Sequence, residues 1–389
     1  MRVGMVAWSF YPSAGGSGTT VMQLSKALVE RGIGVDIVAP LLQKDIYKIK
    51  GLNLDERIKI HWVISSFARG YADFYSRFIF FLKMIIKIRH LSRYVHIFHA
   101  HDFNISMFAA IIGTRKPVAS IFGADPLFEI INYKRKKCID YPLFLKKKIA
   151  ISLQKTINSF ISIISKKRLT VIGHNKYTNE IIGRYYSGPI TDIPAGITLS
   201  LYKEDTAEKK SDEDTILFVA RFACWKGLDI AVDVLREAKK RRKDLKMLCI
   251  GQGPLKEYYI NKYKNVEGLA FITDLNYENV AEYYKKAGVL LATTQYETFG
   301  ISIIEAMAAG LPIVASDLDV FHDRLIDNVN CYLVADGNVG IFADRVLDVL
   351  NNNSIRERFA VNSLDTVKDY SIDKICGKYI DLYNSLYIS

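Results

Sequence analysis

Two glutamates, Glu297 and Glu305, stand eight positions apart in the stretch Tyr296–Asp317, which reads YETFGISIIEAMAAGLPIVASD. Glu297 follows the apolar run Val289–Ala292, which predicts a buried parallel strand. Glu305 falls inside Ser302–Ala309, a run of good helix formers. Phe299-Gly300 makes the turn between them, and Ile301 leads into the helix. The backbone N–H groups of Gly300, Ile301 and Ser302 then have no intrahelical acceptor. They point out of the helix N-terminus, where the positive end of the helix dipole suits a phosphate. Glu305, about one turn further in, can accept hydrogen bonds from the vicinal hydroxyls of a ribose. A carboxylate directly beside a phosphate would repel it, so the pattern suits a ligand whose hydroxyls and phosphates alternate, as in a sugar nucleotide. A surface glutamate plus a helix-capping one is the plainer alternative, and it stays open at this point.

Arg221 and Lys226 follow the end of a second apolar run. A guanidinium fork and an ammonium point charge there can neutralise a departing diphosphate and stabilise the negative charge that grows on it. Basic residues in an exposed loop are the alternative. The loop Ser13–Gly18 carries Gly15, Gly16 and Gly18, which let the backbone approach a ligand closely. It is not the dinucleotide fingerprint, because Val21 takes the third-glycine position, and no Lys-Ser/Thr completes a P-loop. A turn without a ligand also fits.

These residues need rigid elements to hold them. Apolar runs at Val3–Trp8, Val35–Ala39, Ile58–Val63, Ile97–Ala100, Pro117–Phe122 and Leu169–Ile172 read as strands, with helical stretches such as Thr19–Arg31 in most gaps. The rhythm repeats at Ile216–Ala220, Met247–Ile250, Leu269–Phe271, Val289–Ala292, Ile313–Ala315 and Tyr332–Val334. The fold class is therefore α/β, with two doubly wound Rossmann-like domains and parallel sheets covered by helices on both faces. A chain of 389 residues exceeds what one core usually serves, and the hydrophilic run Lys203–Asp212 marks the linker. The expected domains are 1–200 and 201–370, followed by a terminal helix within 371–389 that no strand follows. Two such domains facing each other place the ligand in the cleft at the carboxyl ends of the strands.

Half of the residues are apolar, and the formal net charge of +12 is unevenly spread. Residues 1–200 hold 29 Lys/Arg against 12 Asp/Glu, whereas residues 201–389 hold 24 against 29. The whole excess lies in the first half, which calls for an acidic partner there. Phe74–Arg93 carries Lys83, Lys87 and His90 on one helical stripe with large apolar residues elsewhere. Tyr133–Arg168 has 11 Lys/Arg and a single acidic residue, with Ile149, Leu153, Ile157, Phe160 and Ile164 as an apolar stripe. Basic amphipathic helices of this kind lie on anionic bilayer surfaces, and ordinary helices packed on a sheet are the alternative. No nucleic-acid recognition motif accompanies the charge, so nucleic acid is not expected as a partner. The N-terminus lacks the pattern of a signal peptide, and no apolar run approaches the ~18 residues of a membrane span. Five scattered cysteines suggest neither a disulfide framework nor a zinc site, and a cytoplasmic setting follows, peripheral to the inner face of the membrane.

The Glu297-(seven residues)-Glu305 segment resembles the nucleotide-sugar signature of the retaining glycosyltransferases of family four, which have the GT-B fold. Further matches follow in the family's order. Phe218-Val219-Ala220-Arg221-Phe222 and Trp225-Lys226-Gly227 resemble its strand–Gly-Arg–loop–Lys-Gly segment, with Ala220 where glycine is usual. Cys249–Pro254 resembles its Gly-x-Gly-Pro turn, and Ile193–Ile197 its Ile-Pro-Asn-Gly segment.

The resemblance implies an N-terminal acceptor domain, a C-terminal domain binding a nucleotide-sugar donor, and a terminal helix that crosses back to brace the first domain. It implies hexosyl transfer to a lipid-linked or growing glycan acceptor by front-face attack, the departing phosphate oxygen taking the acceptor's proton. Glu297, Arg221 and Lys226 are then the catalytic set, with Glu297 positioning the donor sugar and not attacking it. Gly15, Gly16, Ile272, Thr273, Phe299, Gly300, Ile301 and Glu305 bind the donor, with Phe271–Asp274 edging the base. No metal or other cofactor is implied. The tempting Asp317-Leu318-Asp319 is not read as a metal motif, since lysine and arginine can replace a cation at the diphosphate. One departure stands out: where many members carry His-Gly-x-Asp, this chain has Phe122-Gly123-Ala124-Asp125. His101, just after a strand, and Asp125 are the acceptor-side candidates, with a structural histidine as the alternative at 101. A GT-B sugar-nucleotide epimerase and a non-catalytic sugar-nucleotide-binding partner are the rival readings of the whole.

Overall fold

Strands buried on both faces need apolar side chains in both phases of the pleat, and the first sheet displays this alternation directly. Val35, Ile37 and Ala39 join one core cluster while Val38 between them joins the other. In the strand Ile97–Ala100, Ile97 faces the first cluster, and Phe98 and Ala100 face the second. The structure is a computed structural model. It describes the chain apart from residues 9, 11–15, 43–53, 66–73, 103–104, 124–159, 162, 166–167, 185, 204–211, 274, 276 and 389. Gly15, Asp125, Asp274, most of the expected linker and most of the basic segment Tyr133–Arg168 lie outside the described residues.

The chain forms two compact units. The first holds a seven-stranded parallel sheet of β1 (Arg2–Val6), β2 (Gly34–Leu42), β3 (Ile58–Ser65), β4 (Ile97–Ala100), β5 (Val118–Ile121), β6 (Leu169–Gly173) and β7 (Ile190–Asp192). Its spatial order is β3-β2-β1-β4-β5-β6-β7. The edge strand β7 has no apolar run to announce it, being exposed at both ends. The second unit holds a six-stranded parallel sheet of β8 (Asp212–Val219), β9 (Lys246–Ile250), β10 (Leu269–Ile272), β11 (Ala287–Ala292), β12 (Ile313–Ser316) and β13 (Tyr332–Val334), in the order β10-β9-β8-β11-β12-β13. Each sheet is that of a doubly wound α/β fold, as the βαβ rhythm requires.

The helix Ile372–Ile388 belongs to the first unit although the chain reaches it only after the second. Ile372, Ile375, Cys376, Tyr379 and Tyr383 recur at helical spacing, and all are buried in the cluster that also holds Val21, Leu24 and Leu28 of the helix Gly16–Glu30. Arg31 ties the two helices at their ends, donating to Asp373 at 3.1 Å. Inside, the Tyr383 hydroxyl lies 2.6 Å from Nδ1 of His99 on β4. Cys249, Cys331 and Cys376 are free and buried. Among the described residues no helix is long and apolar enough to cross a membrane.

Candidate active site

In a doubly wound sheet the ligand crevice opens outside the carboxyl ends of the two strands where the winding reverses. In the second unit the chain leaves β8 towards β9 and β10, then returns to the other side of β8 as β11. That rule points to the loops after β8 and β11, and these are the loops that carry Arg221, Lys226 and Glu297. Ile272 and Thr273 stand on the same edge at the end of β10, both half-buried. The Ile272 carbonyl accepts from Gly251 N–H at 3.2 Å.

The two loops are fastened to each other at their base. Gln295 N–H donates to the Trp225 carbonyl at 2.7 Å, and the hydroxyls of Thr293 and Thr294 donate to the carbonyls of Gly227 and Trp225 at 2.7 and 3.1 Å. Gly227 ends the short 3-10 turn Cys224–Lys226 at φ +72°, and a Cβ there would sit 1.9 Å from the Thr293 carbonyl oxygen. Only glycine permits that approach. Above this base the Lys226 ammonium donates to Glu297 Oε2, with both side chains 17% exposed. Burial pushes the Glu297 carboxyl upward, but the Lys226 charge and hydrogen bond and the backbone N–H groups of Thr298 and Phe299 outweigh it, holding the pKa below the usual value. Glu297 is thus an ionised carboxylate at neutral pH. Arg221 is exposed at the rim.

Past Glu297 the chain turns into the helix Ile301–Ala308 through Gly300, which has φ +86° and provides no side-chain cap. A Cβ on Gly300 would approach the Phe321 ring to 2.7 Å. Phe299 is buried beneath this turn, and its carbonyl accepts from Arg324, whose side chain is fully buried. Glu305 lies inside the helix at 5% exposure, and the Tyr284 hydroxyl donates to its Oε2 at 2.6 Å. Burial raises the Glu305 pKa, and hydrogen bonds from Tyr284, Tyr202 and Tyr277 oppose that rise. The Tyr202 and Tyr277 hydroxyls also lie 2.6 Å from each other, so three phenols surround one carboxylate. This tyrosine cage and Arg324 were not anticipated from the sequence. The only available signal for Arg324 was a cation between the apolar pairs Val320-Phe321 and Leu325-Ile326.

In the first unit the winding reverses between β1 and β4. Gly16 opens the helix after β1, and His101 follows β4, its N–H donating to the Val6 carbonyl at 2.9 Å. His101 is 7% exposed and stacks on His99 with ring centroids 4.2 Å apart. Burial, with His174 nearby, lowers its pKa to about 3, and among the described residues Nε2 has no hydrogen-bond partner. Phe122 follows β5 and is wholly buried among Phe98, Met107 and Ile181. The position where the family resemblance leads to an expected histidine is here part of the core. Asp317 pairs with His322 at 2.6 Å, and among the described residues no group of three or more His, Cys, Asp or Glu is placed to hold a metal ion.

On the surface of the first unit, the helix Phe74–Leu91 buries Phe80, Met84, Ile88 and Leu91. Its opposite side leaves Phe78, Leu82 and Ile86, each four residues from the next, at 49, 41 and 68% exposure.

Residues 14–200 match the family described as Glycosyltransferase Family 4, and residues 203–365 match Glycosyl transferases group 1. The chain is 26% identical over 415 residues to alpha-monoglucosyldiacylglycerol synthase of Acholeplasma laidlawii, an alignment spanning 98% of this chain and 97% of that protein. It is 30% identical over 174 residues to phosphatidyl-myo-inositol mannosyltransferase of Mycobacterium leprae, covering 44% of this chain and 46% of the relative. Its fold superposes on sucrose-phosphate synthase from Thermosynechococcus elongatus with a TM-score of 0.79 at 18% identity, covering 100% of this chain and 99% of the other. The chain therefore belongs to the family-four type of glycosyltransferases and has their GT-B fold of two parallel-sheet α/β domains.

Proposed function

We propose that this protein transfers a hexose-type sugar from a nucleoside diphosphate sugar to a lipid-linked or growing glycan acceptor, with retention of configuration and without a metal. The observation that carries the reading is the Lys226–Glu297 pair at the switch point of the second sheet, beside an uncapped helix N-terminus. Lys226 and Arg221 stabilise negative charge on the departing diphosphate, and the N–H groups of Gly300 and Ile301 add their dipoles behind Phe299. Glu297, kept ionised by Lys226, orients the donor sugar through its hydroxyls. Glu305 takes the ribose hydroxyls with the acceptor sites its tyrosines leave, and Ile272 and Thr273 edge the base. By the family resemblance, Gly16 and Gly15, the latter outside the described residues, are assigned to the donor phosphate. His101 and Asp125, the latter outside the described residues, are the residues assigned to the acceptor. The leaving phosphate oxygen accepts the acceptor's proton, so no protein nucleophile is needed.

The Acholeplasma relative is named for a diacylglycerol product and the mycobacterial one for phosphatidyl-inositol. Together with the apolar stripe Phe78-Leu82-Ile86, flanked by Lys83 and Lys87, these names support a lipid-linked acceptor reached at the inner face of an anionic membrane. The test incubates the protein with UDP-, GDP- and ADP-hexoses and a panel of diacylglycerol, phosphatidylinositol and polyprenyl-phosphate acceptors, with and without EDTA. Expected is release of nucleoside diphosphate that depends on acceptor and survives EDTA, with an α-linked product from an α-linked donor. Isomerised donor in the absence of acceptor would replace the reading with an epimerase, and no turnover of any pair would remove it.

A further inference from the structure

Arg324 is the largest side chain wholly buried in the molecule's described residues, and nothing in the proposed chemistry uses it. It stands just past the short turn Asp319–Phe321 that follows β12. One terminal nitrogen, Nη2, donates to the Phe299 carbonyl. The other, Nη1, donates to the Val320 carbonyl at 3.3 Å and to the Asp323 carboxylate at 2.6 Å. The guanidinium carbon lies 4.4 Å from the centre of the Phe299 ring, 5.5 Å from that of Phe321 and 6.0 Å from that of Tyr370. Nε has no partner. A buried cation with one unsatisfied donor is a costly way to fill space, since an unbranched apolar side chain fills the same volume without the desolvation penalty.

What the charge does is fixed by peptide geometry. Across a trans peptide unit the C=O and the next N–H point in opposite directions. Arg324 draws the Phe299 carbonyl towards the interior, so the N–H of Gly300 is turned outward, in line with the free N–H groups at the start of Ile301–Ala308. The same guanidinium lies over the ring of Phe321, which is the group that a Cβ on Gly300 would strike. Arg324 thus both orients the turn and underpins it. Its charge, offset by an Asp323 side chain that is 35% exposed, adds to the positive end of the helix dipole.

We propose that Arg324 is a positioning residue for the donor's diphosphate: through the Phe299 carbonyl it sets the Gly300 N–H and places a fixed positive charge behind the anion-facing helix end. The proposal rests on the donor site assigned above. It predicts a loss confined to the phosphate end of the ligand.

The test measures binding, by calorimetry, of whichever of UDP, GDP or ADP the wild-type protein binds most tightly, and of the matching nucleoside, to wild type, Arg324→Lys and Arg324→Met. Arg324→Met should weaken the diphosphate at least roughly tenfold, as expected for a hydrogen bond to a charged group, and leave nucleoside affinity within about twofold. Arg324→Lys keeps the charge with a single-point donor and should fall between. It carries the test alone if the methionine variant does not fold. Unchanged diphosphate affinity in the variants, or an equal loss for nucleoside and diphosphate, overturns the positioning role while the donor site stands. Absence of nucleoside diphosphate binding by the wild type itself removes the donor site and this proposal together.

Discussion

Replacing Lys226 with alanine separates the Lys226–Glu297 pair into its two consequences. Each side chain is only 17% exposed, so removing the ammonium leaves a largely desolvated carboxylate whose remaining support is its neighbouring backbone N–H groups. Breaking a fully buried pair costs about 3–5 kcal/mol, and partial access to water reduces this to about 2–3 kcal/mol here. For a unit of this size that is a fall in Tm of roughly 4–12 °C. The pH dependence carries the sharper information. In the wild type the folded-state pKa of Glu297 lies below its ordinary value, so its contribution to stability is present above the unfolded pKa and is lost as pH falls through the folded one. Without Lys226, burial is opposed only by the backbone N–H groups of Thr298 and Phe299, and the folded pKa rises. The deficit of Lys226→Ala is therefore largest near neutrality and shrinks as pH drops below about 5, where the stranded carboxylate can take up a proton. Urea unfolding of wild type, Lys226→Ala and Lys226→Ala/Glu297→Gln between about pH 4 and pH 8 reads both quantities. The double variant should recover most of the lost stability while turnover stays reduced by roughly a hundredfold or more. A pH-independent deficit, or no recovery in the double variant, would refute the electrostatic reasoning.

Three further perturbations separate other parts of the molecule. Gly300→Ala combines a φ of +86° with a Cβ 2.7 Å from Phe321, so the turn must move; nucleoside diphosphate affinity should drop roughly tenfold or more by calorimetry, with nucleoside affinity retained. His99 and His101 are held neutral, their pKa values lowered chiefly by burial. The unfolded chain binds the extra protons, so stability of the first unit is full above about pH 6.5 and falls below it, by roughly 2 kcal/mol per histidine at about pH 5. Unfolding of His101→Phe should show a slope against pH shallower by about one proton. Ile86→Glu alters a side chain that is 68% exposed, so thermal stability should stay within about 0.5 kcal/mol of wild type, while co-sedimentation with phosphatidylglycerol vesicles at low salt weakens roughly tenfold. Unaltered sedimentation would remove the helix Phe74–Leu91 from the membrane reading.

Strands of the buried kind were legible because each is a short, mainly apolar run, and twelve of them were placed within a few residues of their positions. The strand β7 was not, since an edge strand of three residues exposed at its ends has no hydrophobic pattern to read. The helix after Glu297 begins at Ile301, one residue before its expected start, because Gly300 in the left-handed region ends the turn there. Pairings across long separations are what local pattern cannot reveal. His99 meets Tyr383 across 284 residues, and the carboxylate of Glu305 gathers phenols from Tyr202 and from the helix Tyr277–Lys286. Arg324 hides for a different reason, since polarity alone assigns an arginine to the surface, and only the carbonyl of Phe299 and three aromatic rings account for its place inside. Phe122 differs again: the substitution was visible, but its burial in the core became apparent only with Phe98 and Met107 packed around it.

The helix Ile372–Ile388 supplies Ile375, Cys376, Tyr379 and Tyr383 to a core whose other members are encoded before residue 200. During synthesis the first half of the chain must therefore wait, with an apolar groove along Val21, Leu24 and Leu28 open to water, until some 170 intervening residues have been translated and have folded on their own account. The unit begun earliest on the ribosome is the one completed last, and a nascent chain stalled anywhere before Ile372 would display that groove to chaperones and proteases.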